Sequence, residues 1–304
     1  MASPSKQQQQ QRKQPICHPK IAARWWSKDT VAIVTGANKG IGYALVKRFA
    51  ELGLNVVLTA RDESKGSKAV SSLKELGLDL NVCFRQLDIS DSASIHSFVS
   101  WFRSRFDGFD ILVNNAAVCY NPMGENSIDH AETVINTNYY GSRLFTEAML
   151  PYLRRSASIS RILNISSRLG TLDKLKNAKM KALLGDKETL SEERIDMAVN
   201  AFLRDVKEGR WKTQGWPEIW TDYSVSKLAL NAYSQILACR YEGVASVNCF
   251  CPGFTQTSMT DGKGNHSAND AAEMAATIAL LPPEALTTGK FYTGSTIRGI
   301  FSKL

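Results

Sequence analysis

The chain has 304 residues, 43% hydrophobic and 22% charged, an ordinary globular composition that supports a large α/β core without disulfide or metal staples. Its net charge of +8 is unevenly spread: residues 1–28 carry six basic and no acidic side chains, leaving 31 basic against 29 acidic residues, or +2, for the remainder. The near-balanced body argues against a nucleic-acid surface, no apolar run reaches membrane-spanning length, and nothing near the N-terminus reads as a secretory leader.

Residues 1–28 read as a disordered basic tail, with a glutamine run at Gln7–Gln11 and prolines at 4, 15 and 19. An organelle transit peptide would need an amphipathic pattern that the segment does not clearly show. Trp25 and Trp26 are placed to pack where the chain enters the folded body, residues 29–304.

From Thr30 the pattern alternates strand and helix. Thr30–Thr35 is an apolar, β-branched run. Gly40–Leu52 places Ile41, Leu45, Phe49 and Leu52 at helical spacing, and Gly53 suits the stop. Further strands are expected at Asn55–Ala60, Val82–Leu87, Asp110–Asn114, Arg161–Ile165 and Ser246–Phe250. Continuous apolar strands joined by helices imply α/β architecture, a doubly wound parallel sheet covered on both faces. Residues 171–222 interrupt the rhythm. There Thr189-Leu-Ser-Glu192 fits a capping box, and Ile195, Val199, Phe202 and Val206 keep helical spacing, so a helical insertion is expected rather than a disordered loop.

The six cysteines (17, 83, 119, 239, 249 and 251) show no framework spacing and read as free thiols of a reducing compartment. Cys249-x-Cys251 lacks the partner cluster that a four-ligand metal site requires, so no metal is expected.

Thr35-Gly-Ala-Asn-Lys-Gly-Ile-Gly42 follows the first strand and opens the first helix. Gly36 permits a tight turn, and Gly40 lets the backbone amides of Asn38, Lys39, Gly40 and Ile41 approach a pyrophosphate. Gly42 allows close helix packing. This is the context of a dinucleotide site. The second strand ends at Arg61-Asp62, and Arg61 with Lys39 can pair with a 2′-phosphate, which favours NADPH; Asp62 turned inward would instead accept the ribose hydroxyls of NAD. Asp88 and Ile89 end the third strand, where Asp88 either accepts from an adenine amino group or caps the next helix. Asn115 and Ala116, in Asn114-Asn-Ala-Ala117, offer amides and small side chains where the fourth strand must approach a ligand.

Tyr223-Ser-Val-Ser-Lys227 opens a helical pattern, so phenol and ammonium share a face. A free phenol titrates near ~10. A neighbouring ammonium should lower that value and make the pair a general acid for a reduced carbonyl. Ser166-Ser167 brings hydroxyls to the end of the fifth strand, and Asn138 sits within a helical pattern where asparagine is locally unfavourable.

The ordered set TGANKGIG, LDI, NNAA, Asn138, NISS, YSVSK and CPG, running from about Thr30 to the C-terminus, clearly resembles the short-chain dehydrogenase/reductase family, whose fold is of the Rossmann type. The resemblance implies a tetrad. Tyr223 would be the proton donor, Lys227 would lower its pKa and bind the nicotinamide ribose, Ser167 would hydrogen-bond the substrate oxygen, and Asn138 would hold a relay water. Pro252, Gly253, Thr255 and Thr257 look like the nicotinamide-side loop. The long insert, with WWSKDTVAIVTGANKGIG and GWPEIWTDYSVSK, resembles the carbonyl reductase branch, including plant menthone and salutaridine reductases. That branch implies NADPH, reduction of terpenoid ketones or reactive aldehydes, and a monomer whose insert covers the usual oligomer face. Ala117 departs from the family's usual glycine, and the stretch Cys239–Ser246 looks shortened. Candidate substrate-pocket walls are Tyr120, Leu169, Trp216 and Met259.

The chain ends Ser302-Lys303-Leu304, a peroxisomal address, with a cytoplasmic location as the alternative. Two other classes stand beside the enzyme reading: a dinucleotide-sensing regulator, which would tolerate a broken tetrad, and a stress-response interaction protein acting through its tail.

Overall fold

The computed structural model describes residues 24–120, 126–154 and 159–294. Among the described residues seven strands form one parallel sheet: β1 (Val31–Val34), β2 (Asn55–Ala60), β3 (Val82–Gln86), β4 (Ile111–Asn114), β5 (Ser160–Ile165), β6 (Ala245–Cys251) and β7 (Phe291–Thr293). Their order is 3-2-1-4-5-6-7, so the winding reverses between β1 and β4. In a doubly wound sheet that reversal opens a crevice beyond the strands' carboxyl ends. The six expected strands all form, with ends shifted by a residue or so, as at Val31, Gln86 and Cys251. β7 escaped prediction. It is three residues long and exists because Cys249–Cys251 pairs with Phe291–Thr293.

The strand side chains alternate between two cores. Ile33, Val57, Leu112, Ile162 and Val247 face one; Ala32, Val34, Val56, Leu58, Val113 and Leu163 face the other. Over the second face lie α1 (Gly40–Glu51), α2 (Glu63–Glu75) and, later in the chain, the alanine-rich Ala268–Ala279 helix. Over the first face lie α3 (Ser92–Arg103), α4 (Ile128–Ile135) and α5 (Ser142–Met149). Trp25 and Trp26 pack against the α1 side, Trp25 donating through Nε1 to the Leu280 carbonyl at 3.2 Å. Residues 1–23 of the expected tail lie outside the described residues.

The insert holds α6 (Ala178–Gly185) and α7 (Glu192–Lys207) and leads into α8 (Thr221–Arg240), which completes the first face before α9, the Ala268–Ala279 helix, crosses to the second. α7 buries Ile195, Val199, Phe202 and Val206, the four residues expected at helical spacing. Its cap is Ser191, whose hydroxyl accepts from Arg194 N–H, and not Thr189. Both residues can cap. Starting at Ser191 leaves Thr189 bonded to Asp186 and puts Glu192 and Glu193 in the first turn, where the helix dipole favours anions. Glu192 and Asp196 pair with Arg143 of α5, and Glu192 also pairs with Arg240 of α8.

Candidate active site

The strand ends of the reversal point enclose a cavity of about 540 Å³. Its cofactor-side wall carries Gly36, Asn38, Lys39, Gly40, Ile41, Arg61, Asp88, Ile89, Asn115 and Ala116. Its other wall carries Ser167, Tyr223, Lys227, Pro252, Gly253, Thr255 and Thr257. Two expected residues do not line it. Gly42 lies behind the loop, where an added methyl would stand 2.5 Å from Asn115 Nδ2 and 2.9 Å from Ala37 Cα. It is a packing position. Asn138 is fully buried, its Oδ1 accepting from Val118 N–H at 2.8 Å and its Nδ2 donating to Val118 O and Ser226 Oγ at 2.9 and 3.0 Å. It sits in a π-helical turn, Asn136–Gly141, between α4 and α5. Such turns recur at functional sites because they re-aim side chains within a continuous helix.

The glycine loop fits a dinucleotide. Gly36 and Gly40 have φ of 61° and 58°, a backbone region that costs a residue with a side chain about 1–2 kcal/mol. A methyl at Gly40 would meet only Thr257 at 3.5 Å, so it would project into the cradle itself. No side chain caps α1, whereas Asp62 caps α2 and Asp91 caps α3. The first amides of α1 therefore face the cavity with the positive end of the helix, an arrangement suited to a phosphate.

Those caps resolve two open readings. Asp62 accepts from Lys65 N–H at 2.9 Å and does not line the cavity, so it is spent on α2. Asp88 does not cap α3. Its carboxylate accepts from the Ser90 amide and hydroxyl at 3.0 and 2.6 Å and it remains at the cavity wall. Lys39 and Arg61 are exposed, and neither has an ion-pair partner among the described residues. Asn115 braces the loop rather than reaching outward, donating from Nδ2 to the carbonyls of Thr35 and Gly36 at 2.8 and 3.1 Å.

On the opposite wall, α8 sets Tyr223 and Lys227 one turn apart. The Lys227 Nζ stands 5.5 Å from the Tyr223 ring centroid and donates to the Ile165 carbonyl at 2.8 Å. Burial draws the Lys227 ammonium down to about 8, with the thiols of Cys249, Cys119 and Cys251 acting the other way. Burial pushes the Tyr223 phenol up, and Cys119 and Cys251 add to that push. The expected acidification of Tyr223 by its lysine is not seen: burial raises the phenol instead. Taking a phenolate out of water disfavours the charged form, which is why burial raises the phenol.

Ser167 caps a short turn, its hydroxyl accepting from Leu169 N–H at 3.1 Å. Asn231 holds that turn from both ends. Its Oδ1 accepts from Ser166 Oγ at 2.5 Å, and its Nδ2 donates to the Gly170 carbonyl at 2.9 Å. Sequence reasoning passed over Asn231, although it continues the i, i+4 stripe of Tyr223 and Lys227.

The pocket walls need correction too. Leu169 and Met259 line the cavity. Trp216 does not: it is buried in the insert, its Nε1 donating to Asp205 Oδ2 at 2.9 Å and its ring against Phe202. Tyr120 is exposed and stacks on His130 at 4.9 Å. Missed were Trp220 and Phe254, both at the cavity and 6.5 Å apart. Trp220 carries φ 46° and ψ 59°, a left-handed conformation costing a bulky residue roughly 1–3 kcal/mol. The Trp-Thr-Asp-Tyr stretch carries no signal for that geometry.

Comparison with known proteins agrees with this architecture. The short chain dehydrogenase family model matches residues 30–179. The (+)-neomenthol dehydrogenase of Arabidopsis thaliana is 38% identical, over 86% of this chain and 95% of its own length. The NADPH carbonyl reductase 1 of Bos taurus is 34% identical, over 85% and 94%. The solved structure of salutaridine reductase from Papaver somniferum superposes with a TM-score of 0.82 at 37% identity, covering 86% of this chain and 99% of that one. With relatives at this identity matched over nearly their whole length, the chain belongs to the short-chain dehydrogenase/reductase family of oxidoreductases.

Proposed function

We propose that the protein is an NADPH-dependent carbonyl reductase that converts a ketone or aldehyde to an alcohol. One observation carries the reading: Tyr223, Ser167 and Lys227 share a single cavity with an uncapped helix N-terminus flanked by the cations Lys39 and Arg61. Gly36, Gly40 and the α1 amides would hold the pyrophosphate, and Lys39 and Arg61 the 2′-phosphate. Bound NADPH would supply the hydride.

The residues of this chain supply the proton and the aim. Reduction consumes a protonated phenol, and burial keeps Tyr223 protonated at neutral pH. Tyr223 then gives its proton to the substrate oxygen, which Ser167 orients from the neighbouring turn. Lys227 stabilises the phenolate left behind. Near neutrality most of it is charged, since it titrates at about 8. The Asn138 amide is fully engaged with Val118 and Ser226, so its side chain would brace the cavity floor and not hold a relay water. The test is NADPH consumption by the purified protein across terpenoid ketones, quinones and aldehydes, beside Tyr223→Phe. Turnover lost in the variant supports the assignment, and equal rates would sink it. Terpenoid ketones come first, because one relative is named for its action on (+)-neomenthol and the substrate end of the cavity is apolar.

Two further parts of the reading concern the whole molecule. α7 lies across α4 and α8, which supports a monomer, measurable by light scattering. The Ser302-Lys303-Leu304 terminus, outside the described residues, supports a peroxisomal address over a cytoplasmic one. A fluorescent fusion with a free C-terminus, compared with its Leu304 deletion, decides. The same diffuse signal from both would remove the address.

A further inference from the structure

The cavity has two chemically distinct ends. One carries Lys39, Arg61 and Asp88. The other is walled by Ile219, Trp220, Phe254 and Met259, of which Ile219, Phe254 and Met259 are exposed large hydrophobics. Exposed apolar side chains gathered at one cavity mouth mark a binding surface. Trp220 stands at its centre. Its ring meets Tyr223 edge-on, with centroids 6.2 Å apart and planes at 88°, and meets Phe254 at 6.5 Å.

The Trp220 backbone is the second observation. Its carbonyl accepts from Ser224 N–H at 2.7 Å and so opens α8. A glycine or asparagine would adopt the same left-handed geometry with less strain. The helix start therefore gives no reason for an indole, and the ring beside Tyr223 does.

We propose that Trp220 is a specificity-determining residue: its indole, with Phe254 and Ile219, forms a rigid apolar wall that holds a bulky, ring-containing ketone with its carbonyl against Tyr223. The proposal rests on the reductase reading and names its substrate class as cyclic and apolar, not short-chain. A flat wall set edge-on to the catalytic phenol gains contact area from a fused or substituted ring. It gains little from a two- or three-carbon aldehyde.

The probes are decalone, a fused two-ring ketone, and propanal, assayed with NADPH against wild type, Trp220→Phe and Trp220→Gly. The glycine variant removes the ring and relieves the backbone, so it keeps the helix start. Its kcat/KM for decalone is expected to fall at least tenfold, mainly through KM, while that for propanal stays within about twofold; Trp220→Phe should fall between. Equal losses on both substrates would show that Trp220 merely positions α8, and unchanged decalone kinetics would remove the wall; either overturns the proposal. Decalone binding to NADP-loaded protein, followed by calorimetry, separates this from failure of the reductase reading. If wild type turns over neither probe but binds decalone and Trp220→Gly does not, the wall stands without the reaction. If wild type does not bind decalone, the proposal falls.

Discussion

Gly170 lies so close to the main chain of Lys227 that a methyl on it would stand 2.4 Å from the Lys227 carbonyl carbon. This contact lets the Ser167 turn settle directly on α8, and Asn231 then ties the turn down at both ends. Gly170→Ala must push the turn away from the helix. We expect a stability loss of roughly 1–3 kcal/mol from overpacking, together with a fall in kcat exceeding any change in KM for NADPH. Asn231→Ala should lower kcat without the clash, and Asn231→Asp, which keeps the acceptor for Ser166, should recover part of it. Steady-state kinetics beside thermal unfolding reads both.

Tyr223→Phe deletes the proton donor and little else. A fall in kcat of about 10²–10⁴-fold is expected, the usual range for a general acid. Binding of NADPH, measured by fluorescence, should be retained. A variant that loses both would place Tyr223 in the cofactor's support and not in the chemistry.

Lys227 couples activity to pH and stability. Its folded value of about 8 lies below that of an unfolded lysine. Above pH ~8 the folded chain holds fewer protons than the unfolded one, so this group makes stability rise between about pH 8 and 10.5 and disfavours folding below that window. The reduction rate should fall across the same rise, as the ammonium is lost. Lys227→Met should be inactive yet at least as stable as wild type at pH 7, with its advantage shrinking as the pH is raised. Chemical denaturation at pH 7 and pH 10 checks the sign.

Arg61 is free of ion pairs among the described residues and stands on the cofactor wall. Arg61→Ala should raise KM for NADPH about tenfold or more and leave KM for NADH nearly unchanged, because only the former presents a phosphate for a charge-assisted contact. A parallel rise for both cofactors would mean that Arg61 supports the loop and reads no phosphate.

Gly40 and Gly42 should fail in different ways. Gly40→Ala meets open cradle but carries a left-handed φ, so it should fold and lose cofactor affinity. Gly42→Ala drives a methyl into Asn115 and Ala37 and should lower the melting temperature by several degrees. Differential scanning calorimetry with and without NADPH separates the two.

The parts of this protein legible in its sequence are those written at short range. Six strands, the glycine turn, the Tyr223–Lys227 stripe and the apolar face of α7 depend on periods of two, four or a few residues, and local spacing carries them. What required the fold depends on segments far apart in the chain. β7 exists only as a partner for β6. Asp62 and Asp88 are chemically alike, and only the positions of α2 and α3 assign one to a helix and leave the other at the cavity. Trp216 and Trp220 sit four residues apart with similar surroundings in the sequence, yet Asp205 draws one into the insert while a left-handed turn sets the other beside Tyr223. The protonation of the phenol also waited on tertiary structure. The sequence places a cation one turn away, but only packing determines how much water each group loses, and here burial raises the phenol.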